Sequence, residues 1–446
     1  MTNLDKDTAY IGSDLYLPIS KVNVQGIKNS LLLKAGKKSY KLYSETDTHI
    51  VCPRYHIMPD QYDDIDCSFI KLDKPTFPTI NCFDSNILFR EEQKPAWDQL
   101  KVNDDGILNL APGKGKTILA LHKVAQLKVP TLIVVNTSML VDQWKLFIKK
   151  FLNCTDVGEI GDGAFDWEHP ITIALIHSLY NKKSFPKGFT EHFGFMIVDE
   201  GHHLGGMEFG KIGPLCKGAR LLLSATYKRA DGREDIYRQY FGPIICTDKG
   251  FDLKPDIVFI ELKNRLPEEI SDLHNEKQIS ALGENSNSNK DRAEIIKKYC
   301  KDRKSILVST RINQLKALHS VFPGSVCITR ESEKETRMDL VRSSSLSFII
   351  DNFGIEALDC EELDTLFILL PISVNKSVQR DGTVSLLGND LNQIMGRILR
   401  KCSTKKPPLV VIFDDIYVES AHSQIVNIKL WFTNNNYPFT VIKDSK

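Results

Sequence analysis

The stretch from Gly106 to Thr117, GILNLAPGKGKT, narrows what this chain can fold into more than any other. Its apolar run Ile107, Leu108 and Leu110 predicts a buried strand. The turn Pro112-Gly113-Lys114-Gly115 follows, and Lys116-Thr117 then open a helix with apolar positions Ile118, Leu119, Val124 and Leu127. Strand, glycine turn and helix in that order make a phosphate-binding loop, the Walker A arrangement. Glycines at 113 and 115 allow backbone conformations closed to other residues, so successive N–H groups, that of Lys114 included, can turn towards phosphate oxygens. The helix N-terminus adds partial positive charge, Lys116 a full one, and the Thr117 hydroxyl a ligand for Mg²⁺. Leu110 stands where the pattern GxxxxGK[ST] has its first glycine.

The same strand-then-helix rhythm recurs. Apolar runs at Thr131–Val135, Ile171–Ile176, Phe195–Val198 and Arg220–Leu223, separated by helix-sized segments, predict a parallel sheet covered on both faces. A second series begins at Asp256–Ile260 and continues through Ser305–Val308, Val326–Ile328, Phe348–Ile350, Leu366–Leu370 and Leu409–Phe413. Helices are expected over Arg292 to Cys300, Ile312 to Phe322 and Leu391 to Arg400. The fold class is therefore α/β, with two tandem parallel-sheet domains, residues 85–250 and 251–446, and the turn-rich segment 241–255 as a hinge. Gly283 to Lys290 (GENSNSNK) is low in complexity and predicts a mobile loop.

Residues 1–84 carry only short β-type runs, at Leu15–Ile19, Ser30–Leu33, Tyr40–Tyr43, His49–Val51 and Phe69–Leu72, and predict a small β-rich accessory domain. Lys34, Lys37, Lys38, Lys41 and Arg54, interleaved with Tyr40, Tyr43 and Tyr55, suit either a nucleic-acid-contacting face or an ordinary solvated sheet surface. The acids Asp60, Asp63, Asp64 and Asp66 follow closely.

A net charge of +1 with 26% charged residues over 446 residues argues against a globally basic nucleic-acid binder, so such contacts must come from local patches. The ten cysteines are scattered with no CxxC pair, which disfavours a zinc site or a disulfide framework. The polar start and the lack of a long apolar stretch predict a soluble, cytoplasmic protein without membrane attachment.

Two further constellations carry chemistry. Ile197-Val-Asp-Glu-Gly-His-His203 ends an apolar strand in adjacent carboxylates, roughly 80 residues after the phosphate loop. At the carboxyl end of a parallel strand they emerge beside bound ligand. Asp199 is placed to hold Mg²⁺ through water and Glu200 to orient and deprotonate an attacking water. His202 suits contact with coupling machinery better than metal ligation, because no third ligand is spaced to help. Gln393, Arg397 and Arg400, spaced i, i+4 and i+7, would share one helix face and offer guanidinium groups to a phosphate as it transfers.

Taken in order, these residues resemble superfamily 2 helicases and translocases of the DExH type, over roughly residues 85–446, which implies that the two tandem parallel-sheet domains are RecA-like. Phe89 to Gln93 is similar to the Q motif, residues 111–117 to motif I, Asp199 to His202 to motif II, Ser224-Ala225-Thr226 to motif III and Gln393 to Arg400 to motif VI. The resemblance implies ATP and Mg²⁺ as cofactors, Arg90 and Gln93 at the base, Ser224 and Thr226 in coupling, and Asp359 of motif V near the nucleotide. It also implies backbone-phosphate contacts from Thr137 and Gln143 of motif Ia, Ser178 of the next strand-end motif, Thr310 and Arg311 of motif IV, and Asn352 of motif V. Motif V departs from the family pattern, with Asp351 where threonine is usual and Ala357 where glycine is usual.

Ala225 to Gly232 and the Asp-Glu-Gly-His-His run look most like DNA helicases of the phage branch-migration and nucleotide-excision-repair types. That resemblance implies a monomeric motor on forked or branched DNA, moving 3′ to 5′, in the host cytoplasm if phage-encoded. An RNA helicase or a restriction-type duplex translocase would share the motor, and a non-catalytic ATP-dependent clamp is the alternative from another class. Ser373 to Leu387 is longer than its connection needs, and Asp381-Gly382 between β-formers predicts a hairpin. With Lys376 and Arg380 it is either a strand-separating element that touches DNA or a surface decoration.

Overall fold

The computed structural model describes residues 5–35, 38–56, 70–72, 76–201 except 82, 84 and 86, 210–225, 235–248, 250, 253–350 except 330, 334 and 335, 358, 360–378 and 384–443. The chain divides into two compact units, one of Met1–Leu110, Lys114–Arg229 and Arg233–Lys249, the other with Gly250–Lys446 as its bulk.

In the first unit, alternating residues of short strands build a small N-terminal sheet ordered Ser44–Glu45, His49–Cys52, Leu15–Pro18, Ala9–Ile11, Ile70–Leu72. A helix, Val24–Ser30, interrupts the strands where no helical period was expected; the Asn23 side chain caps it by accepting from the Gly26 amide. The sheet's inward residues Leu15, Leu17 and Ile50 lie in the same apolar cluster as Ile212, Tyr237 and Phe241 of the following α/β layer. Polar groups complete the junction. Arg220 is 0% exposed and donates to the carbonyls of Cys216, Tyr240 and Ser13. Arg54 donates to the Gly218 carbonyl at 2.6 Å and faces Asp105, while the Tyr55 amide donates to the Gln239 carbonyl. Arg54 and Tyr55 therefore belong to an internal seam, which removes them from any nucleic-acid-contacting face.

The large sheet of this unit runs Ala164–Phe165, Val157–Gly161, Ile171–Leu175, Thr131–Val135, Phe195–Val198, Ala219–Ser224, Gly106–Leu110, Ile244–Asp248. All neighbours are parallel except the first pair. Ile244–Asp248 occupies part of the segment expected to be a hinge. Ile245 packs on the open edge beside Gly106, where φ is +153° and an added Cβ would fall 2.3 Å from the Ile245 side chain. That close approach makes the segment a strand and confines any hinge to residues beyond it.

Near the other edge His169 bridges two carboxylates, Nδ1 to Asp156 at 2.5 Å and Nε2 to Asp166 at 2.8 Å. The Asp156 hydrogen bond, reinforced by Asp166, raises the imidazole above its ordinary 6.5. A raised histidine contributes stability fully present below the unfolded value and lost as pH climbs through the folded one. The melting-temperature difference between wild type and His169→Gln should therefore be larger at pH 6 than at pH 8.5; a constant difference would show that the bridge contributes nothing.

The second unit's sheet is parallel throughout, ordered Val326–Ile328, Leu346–Ile350, Ser305–Ser309, Thr365–Ile368, Leu409–Asp415, Asp256–Leu262, Thr440–Lys443. Residues 283–290, expected as a mobile loop, instead lie in two helices, Asn275–Glu284 and Ser286–Tyr299. Asn285 between them caps the second by accepting from the Ser288 amide, Asn289 donates to the Gly283 carbonyl, and buried Ser288 accepts from Arg292. Arg292 is itself buried against Asp415 and the Leu369 carbonyl. The polar composition served caps and a buried guanidinium rather than solvent. Asn375–Val378 and Val384–Leu387 pair antiparallel, the expected hairpin, with its tip outside the described residues. Among the described residues no helix is long and apolar enough to cross a membrane.

Candidate nucleotide and nucleic-acid sites

The phosphate loop follows its strand as expected. Gly113 and Gly115 both take left-handed backbone conformations, φ +82° and +81°, and Gly115 caps the helix Lys116–Leu127. Gly115 is required twice, because a Cβ there would also meet Gln93 Nε2 at 1.8 Å. Gln93 is fixed against the loop: its Oε1 accepts from the Arg90 amide at 2.9 Å and its Nε2 donates to the Lys114 carbonyl at 3.4 Å. Lys114 pairs with Asp248 at 3.3 Å. Lys116 is buried and donates from Nζ to the Leu110 carbonyl at 3.0 Å, while Thr117 stays partly exposed in the first helical turn. Beside the Q-motif segment, Phe89, Trp97 and His122 pack as a trio with ring centroids 4.3 to 5.3 Å apart.

Asp199 leaves the strand Phe195–Val198 at 8% exposure. Its Oδ2 accepts from Trp144 Nε1 at 2.9 Å and its Oδ1 from the Glu200 amide at 2.9 Å. Burial first, then the Glu200 charge, push its carboxyl up to about 6 against the opposing pull of Lys116. Glu200 has φ +47°, a left-handed conformation costing a side-chain-bearing residue about 1–2 kcal/mol. Ser224 ends the strand between those leading to Asp199 and to the loop, and is fully buried. The loop's left-handed glycines fit a phosphate chain. The hard oxygen donors Asp199 and Thr117 suit Mg²⁺ rather than a softer metal.

The carboxyl edge of this sheet continues with the motif Ia and strand-end residues. Thr137 caps the helix Ser138–Leu152, its Oγ1 accepting from the Leu140 amide at 3.4 Å, and Gln143 is half-buried on the same helix. Ser178, in Ile176–Tyr180, follows the neighbouring strand, in which Leu175 pairs with Val135.

In the second unit Thr310 and Arg311 follow the strand Ser305–Ser309. The Thr310 hydroxyl is buried with no hydrogen-bond partner. Arg311 is engaged, with Glu276 at 2.5 Å and Ser280 Oγ at 2.9 Å, so a phosphate would have to displace Glu276 to reach it. The helix expected to reach Arg400 ends at Ile398, because Leu399 leaves the helical conformation and Lys405 Nζ satisfies the Ile398 carbonyl at 2.9 Å. Arg400 thus lies beyond the helix rather than on one face of it with Gln393 and Arg397. The two guanidinium groups nevertheless converge, both donating to the Leu358 carbonyl at 3.1 and 3.4 Å; Gln393 is buried. His202, Thr226, Asn352, Asp359 and Arg380, and the side chain of Lys376, lie outside the described residues. Trp144 follows Gln143 in the segment similar to motif Ia. Its bond to Asp199, 55 residues away, has no local signal beyond a tryptophan on a helix's apolar face.

A phosphate loop and an acidic pair on one parallel sheet, followed by a second parallel sheet with paired arginines, define an ATP-hydrolysing motor. Residues 86–229 match the domain model described as the res subunit of type III restriction enzymes. A protein of Acanthamoeba polyphaga mimivirus described as a putative ATP-dependent RNA helicase is 25% identical over 97% of this chain and 83% of its own length. A DNA 3′-5′ translocase, XPB2, of Sulfurisphaera tokodaii is 36% identical over 39% of this chain and 38% of its own, so the chain spans little more than a third of that relative. The structure of S. cerevisiae Dbp5 bound to RNA and ADP BeF3 superposes with a TM-score of 0.54 at 11% identity, covering 79% of this chain and 89% of that one, a likeness of fold. Over residues 86–229 the chain thus carries a domain of that res-subunit type, and it is similar there to a protein named as a DNA translocase.

Proposed function

We propose that the chain is an ATP- and Mg²⁺-dependent DNA motor that unwinds or branch-migrates forked and junction DNA. The carrying observation is the order of groups along one sheet edge. Ser178, Thr137, Asp199 and Lys116 follow, and Ser224 ends, five successive neighbouring strands, so the hydroxyls proposed to contact nucleic-acid phosphates and the groups proposed for hydrolysis lie along one sheet edge. The amides around Gly113–Gly115 and Lys116 hold phosphate, Asp199 and Thr117 hold the metal, and Glu200 aligns water. Mg²⁺ bound there neutralises charge on the phosphates. Arg397 and Arg400 supply guanidinium groups suited to developing phosphate charge.

DNA is favoured because the relative named as a DNA translocase matches at 36% identity, against 25% for the mimiviral relative named as an RNA helicase. The longer alignment of that mimiviral protein, 97% of this chain, favours RNA as the second reading. ATP turnover measured with single-stranded, duplex, forked and four-way DNA, and with RNA, separates them. The expected result is strongest stimulation by forked or four-way DNA and none by RNA. Stimulation by RNA alone would overturn the DNA reading, and nucleic-acid binding without turnover would make the chain a clamp.

A further inference from the structure

Asp199 does not hold its own orientation. Each of its oxygens receives one donor: Oδ1 the amide of the next residue, Oδ2 the indole N–H of Trp144. The first contact is local and moves with the carboxylate. The second arrives from an element 55 residues away in sequence, on a side chain that is 1% exposed. An indole can donate but never accept or ligate, so it serves a carboxylate by stabilising its charge and by fixing which lone pairs remain available. Trp144 in turn cannot move alone. Its helix, Ser138–Leu152, is packed through Leu140, Val141, Ile148 and Leu152, all buried. Two helical turns towards the N-terminus, the same helix begins at Thr137, whose hydroxyl lies at the sheet edge.

We propose that Trp144 is the positioning residue for Asp199, and that the Ser138–Leu152 helix is a lever carrying displacement at Thr137 to that carboxylate. The lever part rests on the reading of Thr137 as a DNA contact; the positioning part does not. A well-packed helix responds as a body, so a small shift at its cap is felt at the indole and changes how Asp199 presents its oxygens to a metal-bound water.

The test compares wild type with Trp144→Phe, which keeps a buried aromatic ring and deletes only the N–H donor. Nucleotide affinity is measured by fluorescent ATP analogue binding, with and without Mg²⁺ and without turnover. Loss of an outer-shell partner weakens metal binding about 10-fold or more. The gain in nucleotide affinity on adding Mg²⁺ should therefore shrink by about that factor in Trp144→Phe, while Mg²⁺-free affinity stays at the wild-type value. An undiminished Mg²⁺ gain would overturn the positioning role. A merely structural tryptophan would lower both affinities together, which also overturns it.

The lever is tested without relying on that variant's folding. In wild-type chain labelled with 5-fluorotryptophan, the Trp144 fluorine resonance should shift when forked DNA binds, and the shift should be lost in Thr137→Val. A resonance that stays still while DNA demonstrably binds would overturn the lever. Failure of the chain to bind DNA at all would instead overturn the functional reading and, with it, only the lever.

Discussion

Glu200→Gln is expected to lower kcat for ATP hydrolysis by about 10²- to 10⁴-fold while leaving ATP binding in place. The substitution is isosteric and keeps the backbone amide that donates to Asp199 at 2.9 Å, so the proposed metal ligand retains its local partner. It removes only the basic oxygen that can accept a proton from water. The left-handed backbone at φ +47° is unchanged, so a stability change cannot account for the loss. Steady-state turnover and analogue binding, measured on the same preparation, check both halves. If kcat stayed within about threefold of wild type, another group would have to be the base and the assignment of Glu200 would fall.

The largest stability effect is expected from Arg220→Met. Arg220 is fully buried between the N-terminal sheet and the first α/β layer, with donors on the Cys216, Tyr240 and Ser13 carbonyls. Asp14 and Asp105 act on its charge. Methionine fills comparable space but leaves those carbonyls without their donor and Asp14 and Asp105 with Arg54 alone, a loss of about 3–5 kcal/mol. Urea unfolding should show the first unit's transition at lower denaturant, and limited proteolysis should cut the N-terminal strands before the α/β layer. Variants of exposed cations such as Lys94 should leave both unchanged. Equal stability of wild type and Arg220→Met would show that apolar packing of Leu15, Leu17 and Ile50 alone holds the seam.

What could be read from the chain and what could not divides along sequence distance. The glycines at 113 and 115 were legible because the need for a left-handed turn is local, and the carboxylates at 199 and 200 because they end an apolar run. Parallel strands announced themselves by fully apolar stretches buried on both faces. The partners that reshaped the picture are remote. Trp144 and Asp199 lie 55 residues apart, Arg54 and Gly218 164, and Arg220 and Ser13 207. Composition misled where polar residues had hidden tasks: Asn285 and Ser288 cap a helix and hold Arg292, so a segment that looked solvated is structured. Arg311 looked like a free phosphate ligand because nothing nearby in sequence revealed Glu276. The end of the motif VI helix depended on Lys405, several residues beyond the apolar period.

The bond from Lys116 to the Leu110 carbonyl bears on nucleotide exchange. If Lys116 takes phosphate as proposed, capture is an exchange of partners, so the loop gains only the difference between a phosphate and a carbonyl as acceptor, not the full strength of a charged bond. The same carbonyl waits for the ammonium when product leaves, sparing it a buried position without an acceptor. A lysine provided with its own substitute ligand makes departure of spent nucleotide less costly, which suits a motor that must empty its site on every cycle.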